Sequence, residues 1–175
     1  MSIMAGVRIE TIAEVTGHAA IVRTMPNTPA TIGEGMAVWT ATAAVDNPAR
    51  ESVRRLLSVL GEETAVDDEK YIDMATAVSG SGPAYVFLLI EALVDSAVEI
   101  GLERELATRM VVQTVKGSAL YAEDSGTDAA TLRDQVTSRG GTTEAALREL
   151  EDAGVRAVFA RAVSAAHERA KELGS

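Results

Sequence analysis

Apolar residues recur with two different periods along this chain, and the change between them divides it. Over residues 1–66 they come in short runs, and Ala20 to Thr24 and Gly35 to Thr40 are rich in β-branched or aromatic residues and bounded by turn formers, the pattern of strands. Val53, Leu56, Leu57 and Leu60 then fall at i, i+3, i+4 and i+7, which puts all four on one helical face. That helix is expected to begin at Asp46-Asn47-Pro48, an acidic cap ahead of a proline whose missing N–H is harmless in the first turn, and to stop at a left-handed Gly61.

From Ser79 onward the pattern is helical throughout. Pro83 opens a run to Ile100 that is apolar almost all round and ends at Gly101, and further helices are expected over Arg104 to Ala122, Asp128 to Val136, Thr142 to Asp152 and Val155 to Leu173. The most apolar stretch, Ala84 to Ile90, falls far short of the ~20 residues that cross a bilayer and is followed by Glu91 and Asp95, so a buried helix is expected. Because the run to Ile100 is apolar on more faces than short neighbouring helices can cover, a second copy of the chain is expected to cover the rest. The fold class is therefore mainly α, with a partial α/β layer ahead of an all-helical region.

Composition removes several function classes. A chain of 175 residues that is 47% hydrophobic can bury a core, and its net charge of −10 argues against nucleic acid or an anionic membrane surface as a partner. With no cysteine, and with His18 and His167 far apart, neither a thiol nucleophile nor a protein metal site is expected. The start, Met-Ser-Ile-Met-Ala-Gly, has no basic region ahead of an apolar core, so a cytoplasmic location is expected.

Three segments carry candidate chemistry. In Val22-Arg23-Thr24-Met25-Pro26-Asn27-Thr28-Pro29 a β run stops at two prolines, either as a rigid strand cap or as one of the strand ends where α/β sheets bind ligands. In Ser79-Gly80-Ser81-Gly82-Pro83-Ala84-Tyr85, two glycines ahead of a helix start either pack the loop tightly or leave N–H groups free for a polar ligand. In Thr137-Ser138-Arg139-Gly140-Gly141-Thr142-Thr143-Glu144 a glycine pair precedes a helix. Its first-turn N–H groups would hold a carboxylate, unless Thr142 simply caps the helix with its own hydroxyl.

Taken together and in this order, Met25-Pro-Asn-Thr-Pro, Ser79-Gly-Ser-Gly-Pro-Ala-Tyr and Thr137-Ser-Arg-Gly-Gly-Thr-Thr, the last running into Ala146-Leu147 and Leu150-Glu151, resemble the pyrroline-5-carboxylate reductase family. Ser2-Ile-Met-Ala-Gly-Val resembles the strand and turn late in that family's Rossmann domain, and the Gly-rich fingerprint that would precede it is absent. The resemblance implies that residues 1–66 are the C-terminal remnant of a Rossmann-like nucleotide-binding domain and residues 67–175 a helical dimerisation and substrate-binding domain. The implied activity is NAD(P)H-dependent reduction of 1-pyrroline-5-carboxylate to L-proline, with NADP or NAD as cofactor and a homodimer or higher homo-oligomer as the assembly.

By the same resemblance, the N–H groups of Gly141, Thr142 and Thr143 hold the substrate carboxylate and Thr143 Oγ1 meets the ring nitrogen as the catalytic contact. Glu69, Ser81, Gly82, Gln135, Ser138 and Gly140 complete the pocket, and Met25, Pro26 and Asn27 lie on the nicotinamide side. Two positions depart from the family pattern: Gln135 stands where Asn is usual, and Arg139 where Pro is common. Two other readings stay open at this stage. One is an inactive, truncated helical oligomer. The other is a different dehydrogenase or imine reductase of Rossmann-plus-helical build, although such families place a catalytic Lys or Asp on a central helix and Lys116 stands alone here.

Overall fold

The computed structural model describes residues 1–174 and divides the chain into two compact units, Met1–Tyr85 together with the chain from Ala160 on, and Val86–Phe159. The first is built on a three-stranded sheet in the order β1 (Val22–Met25), β2 (Gly35–Ala41), β3 (Gly61–Ala65). β1 and β2 are antiparallel, with Val22 opposite Ala41 and Met25 opposite Val38, and β2 and β3 are parallel. Ser2 adds a parallel bridge on the far edge of β1, its N–H donating to the Val22 carbonyl and its carbonyl accepting from Thr24. Pairing on both edges and packing of the Lys70–Ala75 helix against the strand leave all four residues of β1 buried, Arg23 included.

α1 (Ile9–Thr16) precedes the sheet in the chain, and α2 (Asn47–Leu57) packs against it. The Asp46 carboxylate caps α2 by accepting from the Ala49 N–H, and Leu57 enters a core made with Val22, Ala37, Trp39 and Val45. Arg50 fastens α2 to the end of β2, donating to the carbonyls of Ala41, Thr42 and Val45. Gly61 departs from expectation. α2 ends at Leu57 and a 3-10 turn follows, and Gly61, at φ 131° and ψ −142°, opens β3 rather than closing a helix in the left-handed region. The strand forms because β2 supplies a parallel ladder and because the Glu63 carboxylate accepts the indole N–H of Trp39.

The second departure lies at Ser79 to Gly82. These residues are not a loop before a helix but the middle of one continuous helical run: α3 (Lys70–Ala75), a π-turn (Thr76–Gly80) and α4 (Gly82–Glu99). The Ser81 N–H reaches back five residues to the Thr76 carbonyl at 2.8 Å, so it is not free for a ligand. This 30-residue run is long and apolar enough to cross a bilayer, which the sequence reading denied. Nor is α4 the buried helix expected from Ala84 to Ile90. Only Val94 is buried, and Phe87 and Leu88 are 61% and 65% exposed.

The second unit contains most of α4, α5 (Arg104–Ser125), α6 (Ala129–Gln135), α7 (Thr142–Asp152) and the start of α8 (Val155–Glu172). Among its described residues only Val94 and Ala107 are buried, while Ile100, Met110, Leu120, Tyr121 and Phe159 stand open. Helices this apolar and this uncovered need another surface to exclude water.

Candidate active site

Within the first unit the Met25-Pro26-Asn27 and Ser79-to-Tyr85 motifs come together. Met25 is buried, and a Cβ placed on Gly80 would lie 3.4 Å from its Cγ. The Asn27 amide nitrogen donates to the Ser79 carbonyl at 3.0 Å and its oxygen accepts from the Met36 N–H at 2.9 Å, so one side chain joins the end of β1, β2 and the π-turn. The Ser81 hydroxyl donates to the Thr76 carbonyl at 2.9 Å, which leaves it only acceptor capacity toward a ligand, and the Tyr85 hydroxyl donates to the Ala77 carbonyl. A Cβ on Gly82 would meet nothing within 4 Å, so the chain surface is open there.

Glu69 also belongs to this unit, and its carboxylate is engaged. Oε1 accepts from Arg23 Nη1 and from the Ile9 N–H in the first turn of α1, both at 2.8 Å. Arg23 Nη2 donates to Asp73 Oδ1, also at 2.8 Å. Glu69 and Arg23 line a cavity of about 400 Å³ together with Arg8, Lys70 and His167. Sequence reasoning missed Arg23 and Asp73. The available signal was a charged residue inside the apolar run Ile21 to Met25, with acids one helical turn apart at 69 and 73.

Gln135, Ser138, Gly140, Gly141, Thr142 and Thr143 fall in the second unit, between the end of α6 and the first turn of α7. The Asp128 carboxylate sets the start of α6, accepting from the N–H groups of Ala130 and Thr131 and from the Thr131 hydroxyl. The Thr131 hydroxyl bond, followed by the Thr131 backbone bond, holds the Asp128 carboxyl below its ordinary range. Gln135 is the last residue of α6 and exposed.

Both glycines of the following turn are required. Gly140 has φ 73°, and a Cβ on Gly141 would come within 2.9 Å of the Ser138 carbonyl oxygen. The helix is not capped by Thr142. Its cap residue is Gly141, without a side-chain bond, and the Glu144 carboxylate reaches back to the Gly140 N–H at 2.7 Å. The Gly141 N–H donates to the Ser138 carbonyl, so the expected three-amide cradle is reduced. The N–H groups of Thr142 and Thr143 and both threonine hydroxyls have no partner among the described residues. Two adjacent amides and a hydroxyl at the positive end of an 11-residue helix are suited to a carboxylate carrying a neighbouring hydrogen-bonding atom.

Comparison with known proteins supplies the context. The family model described as pyrroline-5-carboxylate reductase dimerisation matches residues 69–173. A pyrroline-5-carboxylate reductase of Pisum sativum is 42% identical over 173 residues, covering 99% of this chain and 63% of its own length. One from Corynebacterium melassecola is 42% identical over 175 residues, at 99% and 64%. A crystal structure of Plasmodium falciparum pyrroline carboxylate reductase with NADP bound superimposes with a TM-score of 0.93 at 38% identity, covering 99% of this chain and 70% of that one. The Coxiella burnetii pyrroline-5-carboxylate reductase structure gives 0.92 at 40% identity, covering 98% and 64%. The chain thus spans less than two thirds of the length of these curated relatives.

Proposed function

Since this chain belongs to the pyrroline-5-carboxylate reductase family, we propose that it carries the substrate-binding and oligomer-forming part of an enzyme that reduces 1-pyrroline-5-carboxylate to L-proline with NADPH or NADH. The observation that carries the proposal is the Gly140-Gly141 turn, which presents the unpartnered N–H groups of Thr142 and Thr143 beside the unpartnered Thr143 hydroxyl. In this reading the two amides hold the substrate carboxylate and Thr143 Oγ1 faces the ring nitrogen, while Gln135, Ser138 and Gly140 shape the rim. Alignment of this kind is the main service a protein renders when the reacting hydride comes from a cofactor.

The nicotinamide cofactor supplies the hydride when bound. The residues of the first unit suit its flat ring. Met25 packs against Gly80, Pro26 and Asn27 fix the strand end, and the open face at Gly82 leaves room for a close planar approach. Glu69 is assigned a supporting role at the rim of this unit, because its Oε1 joins Arg23 to the start of α1 at Ile9.

Residues 1–66 are proposed as the remnant of the nucleotide-binding layer and residues 67–175 as the dimerisation and substrate-binding domain, supported by the match over 69–173. The exposed apolar residues of α4 and α5 and the dimerisation match together favour a homo-oligomer over a membrane as the cover for α4. The same reading puts the protein in the cytoplasm, beside the NAD(P)H supply. The test is NAD(P)H oxidation in the presence of 1-pyrroline-5-carboxylate, run on this chain and on a full-length version. Turnover by the full-length protein supports the proposal, and its absence with both nucleotides overturns it.

A further inference from the structure

The Arg23 guanidinium is wholly buried, paired to two carboxylates, and its Nε has no hydrogen-bond partner. Stability alone does not account for such a group, since apolar residues of similar volume commonly replace a buried ion pair without loss. What apolar residues do not replace is direction. One planar fork bonds Glu69 and Asp73, one helical turn apart, and so fixes both the rotation of α3 about its axis and its height along β1. Glu69 passes the constraint on to α1 through the Ile9 N–H.

The two elements joined by Arg23 lead directly into the two motifs of the first unit. β1 ends at Met25, before Pro26 and Asn27, and α3 continues without a break into the π-turn and Ser81. Beyond the ion triad, Asn27 ties the same pair again at Ser79. Two fastenings fix an orientation that one would leave free to pivot. We infer that Arg23, Glu69 and Asp73 form a positioning triad that sets the Met25 to Asn27 strand end against the Ser81-Gly82 turn, and that Glu69 acts through Arg23 rather than on substrate. The triad's catalytic consequence rests on the reductase reading; its structural one does not.

The experiment therefore has two arms, using Glu69→Gln and the near-isosteric Asp73→Asn, with Arg23→Lys as the variant that keeps charge but loses the fork. In the first, amide hydrogen exchange on this chain is expected to quicken by about ten-fold or more at Ser81 and Met36 in Asp73→Asn and Arg23→Lys, with the α7 amides unaffected. In the second, steady-state kinetics of the full-length protein are expected to show kcat lowered by about ten-fold in each variant, with the KM for 1-pyrroline-5-carboxylate changed by less than about two-fold. Unchanged exchange at Ser81 and Met36 overturns the triad. A raised KM with unchanged kcat in Glu69→Gln overturns its positioning role and returns it to the substrate. A wild-type protein without turnover sinks the reductase reading only, and the exchange arm still decides the triad.

Discussion

Asn27 supplies the hydrogen bond that Pro83 withholds. In a regular helix the Ser79 carbonyl would accept from the N–H four residues on, but that residue is proline, which has no N–H and whose ring presses on the same carbonyl. The π-turn at Thr76–Gly80 widens the helix at this point, and the Asn27 amide, 52 residues away in sequence, donates to the orphaned oxygen at 3.0 Å. Two motifs that look like separate pieces of punctuation in the sequence are thus one joint.

Replacing Asn27 with Leu removes both of its bonds and leaves the Met36 N–H and the Ser79 carbonyl without partners. Unfolding free energy is expected to fall by about 1–3 kcal/mol, measured by urea denaturation at fixed protein concentration. A change within about 0.5 kcal/mol, the usual range for surface substitutions, would mean that water replaces the side chain fully.

Asp128 predicts a pH dependence. Its folded-state carboxyl lies below the ordinary value of 3.8, so its contribution to stability is present above that value and is lost as pH falls through the lower folded one. Asp128→Ala should therefore lower the melting temperature at neutral pH, and the gap between variant and wild type should close under strongly acidic conditions. A gap that persists unchanged into acid would assign the effect to something other than the carboxylate.

The exposed face of α4 predicts assembly. Light scattering should give a mass well above the 18.3 kDa of one chain, and Leu88→Asp, which puts a charge on a residue now 65% exposed, should lower it or cause aggregation. A monodisperse monomer whose unfolding does not depend on concentration would contradict the prediction.

Locally signalled elements were legible in the sequence. Asp46 caps α2 as expected, the helix expected from Asp128 is α6, and the span expected for α7, Thr142 to Asp152, is the span observed. What escaped depends on partners distant in sequence. β3 is Gly-Glu-Glu-Thr-Ala, with no apolar alternation, and is a strand only because β2 lies beside it. Gly80 and Gly82 read as a loop ahead of a helix that starts at Pro83, because nothing local announces that Asn27 will repair a continuous helix there. At the second-unit motif the glycines were legible as a close turn, but not that Glu144 rather than Thr142 caps α7, nor that Ser138 takes the Gly141 N–H.

The central claim is that the Thr142-Thr143 turn binds substrate and does not merely start a helix, and kcat/KM for 1-pyrroline-5-carboxylate in full-length Thr143→Val tests it most directly. Valine keeps the shape and removes the hydroxyl. Because Thr142 makes no cap bond, Thr142→Val serves as the control and should leave the melting temperature nearly unchanged. For Thr143→Val the account predicts a loss of about 10 to 100-fold in kcat/KM, equivalent to ~1.4 to 2.8 kcal/mol, with little change in stability. Wild-type kcat/KM in that variant would contradict it and leave the motif as a helix start alone.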